Sequence, residues 1–344
     1  MALAPRCIES NSTDPYTNLA IESCLMRSAR EGEPILYLWQ NERTVVVGRN
    51  QCASAECDLA RLERDGGHLA RRRSGGGAVY HDLGNLNFTF VTTAKEYDQA
   101  AQTDVILEAV CELGIDARRT GRNDLVVEDG RKFSGHAYYH NGQASMHHGT
   151  IMVAVDVEAL GRYLTVSPLK LQAKGVRSVR SRVTNLQMLN PDITIGALKD
   201  ALRSAFARSV RCPVRSEDPS ALDTTELECE RKLFASREWL YRGERMLEES
   251  CQARFDWGNV RVDFTRRDNI LADLVVFSDG LDAEGIDRIA ELLVGSSTSV
   301  GELEKRLLAG GFSNCIASEL ANLIGGADTE TSTELGVTYR KEPS

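Results

Sequence analysis

The 344-residue chain lacks any hydrophobic run near the ~18 residues that a bilayer crossing needs. Its longest apolar stretches, such as Ile35–Trp39 and Thr44–Val47, have the length of strands, so a membrane-spanning protein is excluded. Positive charge is not in excess either. Lys and Arg number 41 against 50 Asp and Glu, a formal net of −9, which denies the chain the basic surface of a duplex binder. Neither membrane nor nucleic acid is expected as a partner. No pair among the nine cysteines is spaced C-x-x-C, their number is odd, and no signal-peptide core opens the chain. That pattern argues against a disulfide framework and for reduced thiols in the cytoplasm, with the mitochondrial matrix as the alternative if a presequence is cleaved. There is no internal repeat. What remains, 42% apolar and 26% charged, is an ordinary globular composition with length for about two domains.

Local signals sketch a mixed α/β (α+β) fold. Asp14 as N-cap and Pro15 at the first helical position predict a helix to about residue 30. Strands are expected at 35–39, 44–48, 78–80 and 87–91, and a helix at 103–113. Asn141-Gly142 predicts a hairpin with arms 133–140 and 144–155, closed by a type I′ turn with positive φ at both residues. Helices are expected at 157–164 and 195–209, and a loop at 212–223. After residue 245 three strand patterns (252–256, 259–264, 270–277) precede two helical ones (283–294, 300–308), which suggests a separate small α+β unit. The domains expected are therefore 1–245 and 246–325, followed by a mobile tail over 326–344.

Cations gathered at a few points of an acidic chain fit a small anionic ligand. The most unusual stretch is Arg71-Arg72-Arg73-Ser74-Gly75-Gly76-Gly77-Ala78-Val79-Tyr80-His81-Asp82. Successive glycines let backbone N–H groups close on a phosphate or carboxylate as an anion nest, and guanidinium adds a charged fork. It is neither a Walker loop nor G-x-G-x-x-G. A second constellation is Gly121-Arg122-Asn123-Asp124 with Arg131-Lys132-Phe133-Ser134-Gly135. Lys132, pointing away from Phe133, is placed to bridge a carboxylate and an α-phosphate. Asp124 either orients that lysine or helps hold Mg²⁺. His136, His140, His147 and His148 lack zinc spacing, so no transition metal is expected, and His147-His148-Gly149-Thr150 reads as pocket lining. The alternation over 174–183 reads as a cover loop or a solvated basic strand. No Ser-His-Asp order stands out, and Cys52 and Cys57 have no base beside them in sequence.

These motifs, in this order and spacing, resemble the lipoate–protein ligases: residues 72–90 (RRSGGGAVYHDLGNLNFTF), 121–125 (GRNDL), 131–135 (RKFSG), 147–150 (HHGT) and 174–185 (KGVRSVRSRVTN). The likeness is strong over residues 8–190 and weaker beyond. It implies a catalytic domain of the fold shared with biotin–protein ligases, with a small C-terminal accessory domain. It implies ATP and Mg²⁺ as requirements and lipoate as substrate. Lipoyl-AMP and pyrophosphate would form first; a lysine of an apo lipoyl domain, in an E2 subunit of a 2-oxoacid dehydrogenase or in glycine-cleavage H protein, would then take the acyl group. Carried over, Arg72, Gly77, Ala78, Val79, Tyr80, Asp124, Lys132 and Arg180 hold ATP or the adenylate. Ser74, Gly75, Gly76, Lys132, Gly135, His148 and Gly149 hold lipoate, and Lys132 is the catalytic residue. The six cations Arg71, Arg72, Arg73, Arg131, Lys132 and Arg180 are expected around the triphosphate, and Val45, Val47, Val79 and Phe133 around the acyl chain. The third arginine, Arg73, is reminiscent of transfer-only lipoyltransferases, whereas Arg122-Asn123-Asp124 and His148-Gly149 keep the ligase form. A transfer-only lipoyl- or octanoyltransferase and a catalytically silent lipoyl-domain scaffold are the alternatives.

Overall fold

The computed structural model describes residues 4–121, 123–165, 182–326 and 338–341. Arg122 and the stretch holding Arg177 and Arg180, with most of the expected cover loop, lie outside the described residues. The largest sheet runs, in order across it, through β11 (Arg215–Glu217), β1 (Arg6–Glu9), β2 (Ile35–Trp39), β6 (Asn85–Thr93), β10 (Ala144–Met152), β9 (Lys132–His140), β8 (Asp124–Val127) and β7 (Ala117–Thr120). One face packs Phe88, Phe90, Phe133 and Ile151 against the helices Gln99–Glu112 and Ile195–Val210. The other face meets the helix Pro15–Arg27, capped as expected by Asp14 accepting from the Thr17 N–H at 2.9 Å.

A second sheet, β4 (His68–Arg71), β3 (Thr44–Val47) and β5 (Val79–His81), stands over that face. Its alternation decides which valines meet the space between the sheets. Val46 joins the shared core with Tyr37, Val91 and Met146. Val45 and Val47 point the other way, into a cluster with Leu160 and Tyr163 of the helix Val157–Tyr163. Phe133 is fully buried under the large sheet. Of the four apolar residues expected around an acyl chain, Val79 lines the space between the sheets, whereas Val45, Val47 and Phe133 do not.

The hairpin β9–β10 forms in the expected place, but its loop has three residues, 141–143, and only Gly142 has positive φ. Asn141 Oδ1 accepts from the N–H groups of Gln143 and Ala144, an Asx turn in place of the type I′ turn. The two-residue turn with positive φ at both positions is Asp268-Asn269, between the strands of the third sheet. That sheet is β14 (Ile270–Ser278), β13 (Gly258–Arg267), β12 (Glu249–Phe255) and β15 (Thr338–Lys341), backed by helices Ala283–Leu293, Val300–Ala309 and Asn314–Gly325. β15, within the expected tail, pairs antiparallel with β12. β11 lies inside the expected 212–223 loop and pairs in parallel with β1.

The third sheet and its helices are fastened to the rest near the glycine run. The Ser278 N–H donates to the Asn50 carbonyl at 2.9 Å, and Asp287 accepts from Arg49 and Asn50 and pairs with Arg242. Arg71 organises the other side of this junction. It is fully buried and donates to the carbonyls of Leu240, Gly48 and Gln51, the last at 2.6 Å. Arg71→Met should leave those oxygens without their donor and lower the unfolding free energy by about 3 kcal/mol, read from urea midpoints; an unchanged midpoint would deny Arg71 this role.

Candidate active site

Between the two stacked sheets lies a cavity of about 300 Å³. At one end is Lys132, whose Nζ sits 2.6 Å from Asp124 Oδ1. Both side chains are partly exposed to the cavity. The lysine curls over Gly135: a Cβ there would come within 2.5 Å of Nζ. Strand registry then defines a row across the floor. Gly135 pairs with Thr150, Thr150 with Asn87, and Asn87 with Trp39. At ~4.8 Å per strand, Asn87 is about 10 Å and Trp39 about 14 Å from the Gly135 position. A charged head and a long apolar body of one ligand fit that run, with Leu19, Val46, Val79 and Trp39 along it.

Three neighbouring arginines have three fates. Arg71 is structural, as above. Arg73 donates to Ser23 and Glu230 and lies over the rings of Phe234 and Trp239. Arg72 reaches the cavity wall, but its guanidinium holds the loop: it donates to the carbonyls of Val46, Gly75 and Gly77 and to Ser74 Oγ. Burial, with Arg71 nearby, lowers Arg72 to about 10, so it stays charged at neutral pH. Arg131 pairs with Asp129 outside the cavity. The expected ring of six cations is therefore not assembled by the described residues. Among the described residues, Lys132, Arg72, Arg182 and Arg254 are the Lys and Arg side chains that line the cavity.

Gly76, Gly77, Ala78, Val79, Tyr80, Asp124, Gly135, His148 and Gly149 all line it too. Ser74 and Gly75 do not. Ser74 is buried behind the wall, its Oγ 3.0 Å from Arg72 Nε and 2.6 Å from His148 Nε2. Gly75 abuts the turn at Gly280 and Leu281, and the Gly76 N–H donates to the Gly280 carbonyl at 2.9 Å. His148 Nδ1 faces Glu22 Oε1 at 2.8 Å, and that oxygen also accepts from Thr89 Oγ1 at 2.6 Å. A buried chain thus ties Glu22, His148, Ser74 and Arg72 to the glycine run. All four histidines considered as metal ligands are engaged within the protein: His148 with Glu22 and Ser74, His136 and His147 with each other at 2.9 Å and with Ser134 and Gln102, and His140 with Ser145. Among the described residues no group of three or more His, Cys, Asp or Glu could hold a metal.

Residues 14–207 match the model of the lipoyl protein ligase A/B catalytic domain, and residues 248–324 that of the bacterial lipoate protein ligase C-terminus. The chain belongs to the lipoyl protein ligase A/B family. It is 40% identical over 296 residues to the lipoate-protein ligase A of Psychrobacter cryohalolentis, covering 84% of this chain and 87% of that one. Among solved structures, P. falciparum LipL1 in complex with lipoate has a TM-score of 0.82 at 27% identity, covering 94% of this chain and 100% of that chain. A lipoate-protein ligase A bound with ATP has a TM-score of 0.60 at 27% identity, covering 70% and 99%.

Within this lipoyl ligase family member, sequence reasoning missed part of the wall. Trp39, Asn85 and Asn87 were not singled out, His81 had no role, and Glu22, which holds His148 from behind the wall, was also missed. The available signal was the pair of asparagines alternating with apolar residues, Asn85-Leu86-Asn87-Phe88. Arg254, Trp257, Asp279 and Leu281, from the third sheet and the turn after it, also line the cavity. Burial lowers His81 and His136 to about 3 and His147 well below its usual range. The unfolded chain takes up those protons near pH 6.5, so the stabilisation is complete above that pH and lost as pH falls below it. Urea unfolding should show stability falling between pH 6.5 and 5.5 by about 1 kcal/mol for each such imidazole, steepening toward about 1.4 kcal/mol per unit below that; a flat profile would contradict their neutral burial.

Proposed function

We propose that the protein is a lipoate–protein ligase that activates lipoate with ATP and passes the lipoyl group to a protein lysine. The observation that carries this is the Lys132 ammonium, held by Asp124 over Gly135 at the head of a cavity whose floor leads to Trp39. A carboxylate and an ammonium do not condense at neutral pH, so the acid must first gain a leaving group. A carboxylate oxygen of lipoate attacks the α-phosphorus, the bond to the β-phosphate oxygen breaks, and pyrophosphate leaves. The acceptor amine then attacks the carbonyl carbon, AMP departs with the C–O electron pair, and the amine loses a proton. Lys132 offsets the repulsion between the two anions and stabilises charge that builds between them. Enclosure between the sheets keeps water from the mixed anhydride.

Gly77, Ala78, Val79 and Tyr80 are our candidates for the nucleotide side, with Val79 also flanking the acyl chain, Gly76 on the lipoate side and Arg72 acting through the loop it holds. Arg180 keeps its assignment as a nucleotide contact from sequence. Gly135, His148 and Gly149 belong to the acyl side, and Ser74 and Gly75 act through their contacts behind the wall. Magnesium arriving with a nucleotide needs one or two carboxylates, phosphate and water completing its shell, and Asp124 fits as such a ligand. It would neutralise phosphate charge there. We assign catalysis to residues 1–245 and an accessory role to 246–325. The acceptors proposed are apo lipoyl domains of E2 subunits and glycine-cleavage H protein, and the compartment is the cytoplasm; no described helix is long and apolar enough to cross a membrane.

Mass spectrometry of an apo lipoyl domain incubated with enzyme, ATP, Mg²⁺ and free lipoate should show one lipoyl adduct, with pyrophosphate released. A transfer-only enzyme would give neither. Lys132→Ala should slow pyrophosphate release by at least about a hundredfold with unfolding unchanged; undiminished release would remove Lys132 from the mechanism.

A further inference from the structure

The far end of the cavity is apolar in outline yet carries unmatched polar atoms. His81, Asn85 and Asn87 all line it and are at most 3% exposed. His81 Nε2, Asn85 Oδ1 and Asn87 Nδ2 are buried and find no hydrogen-bond partner among the described residues. His81 lies against Trp39, with ring centroids 6.0 Å apart, which puts it at the end of the row remote from Lys132.

The identity of the free His81 nitrogen is fixed by a relay. The Asn18 NH₂ faces the carbonyls of Ser12 and Gln40 at 3.0 and 2.9 Å and Asn41 Oδ1 at 3.0 Å, its two protons shared among three acceptors, so the Asn41 atom turned to it is the oxygen. Asn41 Nδ2 is thereby left to donate to His81 Nδ1 at 3.2 Å. A ring nitrogen that accepts carries no proton, so the proton of the neutral imidazole is on Nε2. Asn85 Nδ2 donates to Asn87 Oδ1 at 2.9 Å, which leaves Asn87 Nδ2 as a second unmatched donor. Two N–H donors, with the Asn85 Oδ1 acceptor beside them, are thus presented where the tail of an acid anchored at Lys132 ends. A buried donor left without an acceptor weakens whatever complex leaves it so.

We propose that His81 and Asn87 are specificity-determining residues that recognise the sulfurs of a cyclic disulfide at the end of the acyl chain and disfavour a saturated fatty acid of the same length. Divalent sulfur is a weak acceptor; a terminal methyl is none. Octanoate fills the same run but leaves both donors unmatched. The inference rests on the ligase reading and names which acid that site prefers.

The test compares lipoate with octanoate for the wild type, His81→Phe and Asn87→Leu, the first substitution keeping a ring against Trp39 and the second keeping side-chain volume. Wild-type kcat/KM for pyrophosphate release should favour lipoate by about tenfold or more, and each variant should bring the ratio toward one. Equal use of both acids by the wild type, or variants that slow both by one factor, would overturn the proposal. Calorimetry of the two acids on the same three proteins reads the ratio without turnover. Absence of release with either acid would therefore sink the ligase reading, while calorimetry still decides this inference.

Discussion

The account depends on where one ammonium group is held. Lys132 starts a strand whose next residue, Phe133, is locked into the core below the sheet, so the lysine is committed to the upper face. There Asp124, on the adjacent strand, fixes the Nζ, and the absence of a side chain at Gly135 gives it room. Partial exposure matters as much as position. A fully buried lysine would tend to lose its proton, and a fully solvated one would be screened. Beside a single carboxylate at the head of a cleft, it remains available to a second anion.

The rest of the site keeps that arrangement in shape. The glycine run does not wait as an open loop. Arg72 gathers its carbonyls from within, and the Gly280–Leu281 turn presses on it from the third sheet. Bare backbone at Gly75 lets that turn approach, since a Cβ there would collide with the carbonyls of Gly280 and Leu281. The Glu22–His148–Ser74–Arg72 chain carries the same order from the acyl side to the loop. One buried polar path thus joins the helix Pro15–Arg27, the strand carrying His148 and the glycine run.

Much of this was legible in the sequence, for reasons that differ by element. The helix cap at Asp14, the hairpin arms and the three consecutive strands after residue 245 are local patterns, and they formed close to where local physics placed them. The Lys132–Asp124 pair was legible because both residues sit in short motifs with chemistry of their own. The fates of Arg71 and Arg73 were not: their partners, Leu240 and Glu230, are more than 150 positions away. A strand at 44–48 was legible, but only the stacking of the second sheet decided that Val46, and not Val45 or Val47, meets the cavity. The relay from Asn18 through Asn41 to His81 spans three elements and has no local signature at all.

The claim that the ammonium's position, and not merely its presence, drives activation is tested most directly by Gly135→Ala. The new Cβ would contest the space of Lys132 Nζ and Cε, the flexible end of a side chain, so the fold should survive while the charge is displaced. Pyrophosphate release measured with saturating lipoate and ATP should fall at least about tenfold, with an unchanged urea midpoint. A variant that unfolds like the wild type and releases pyrophosphate at the wild-type rate would contradict the account.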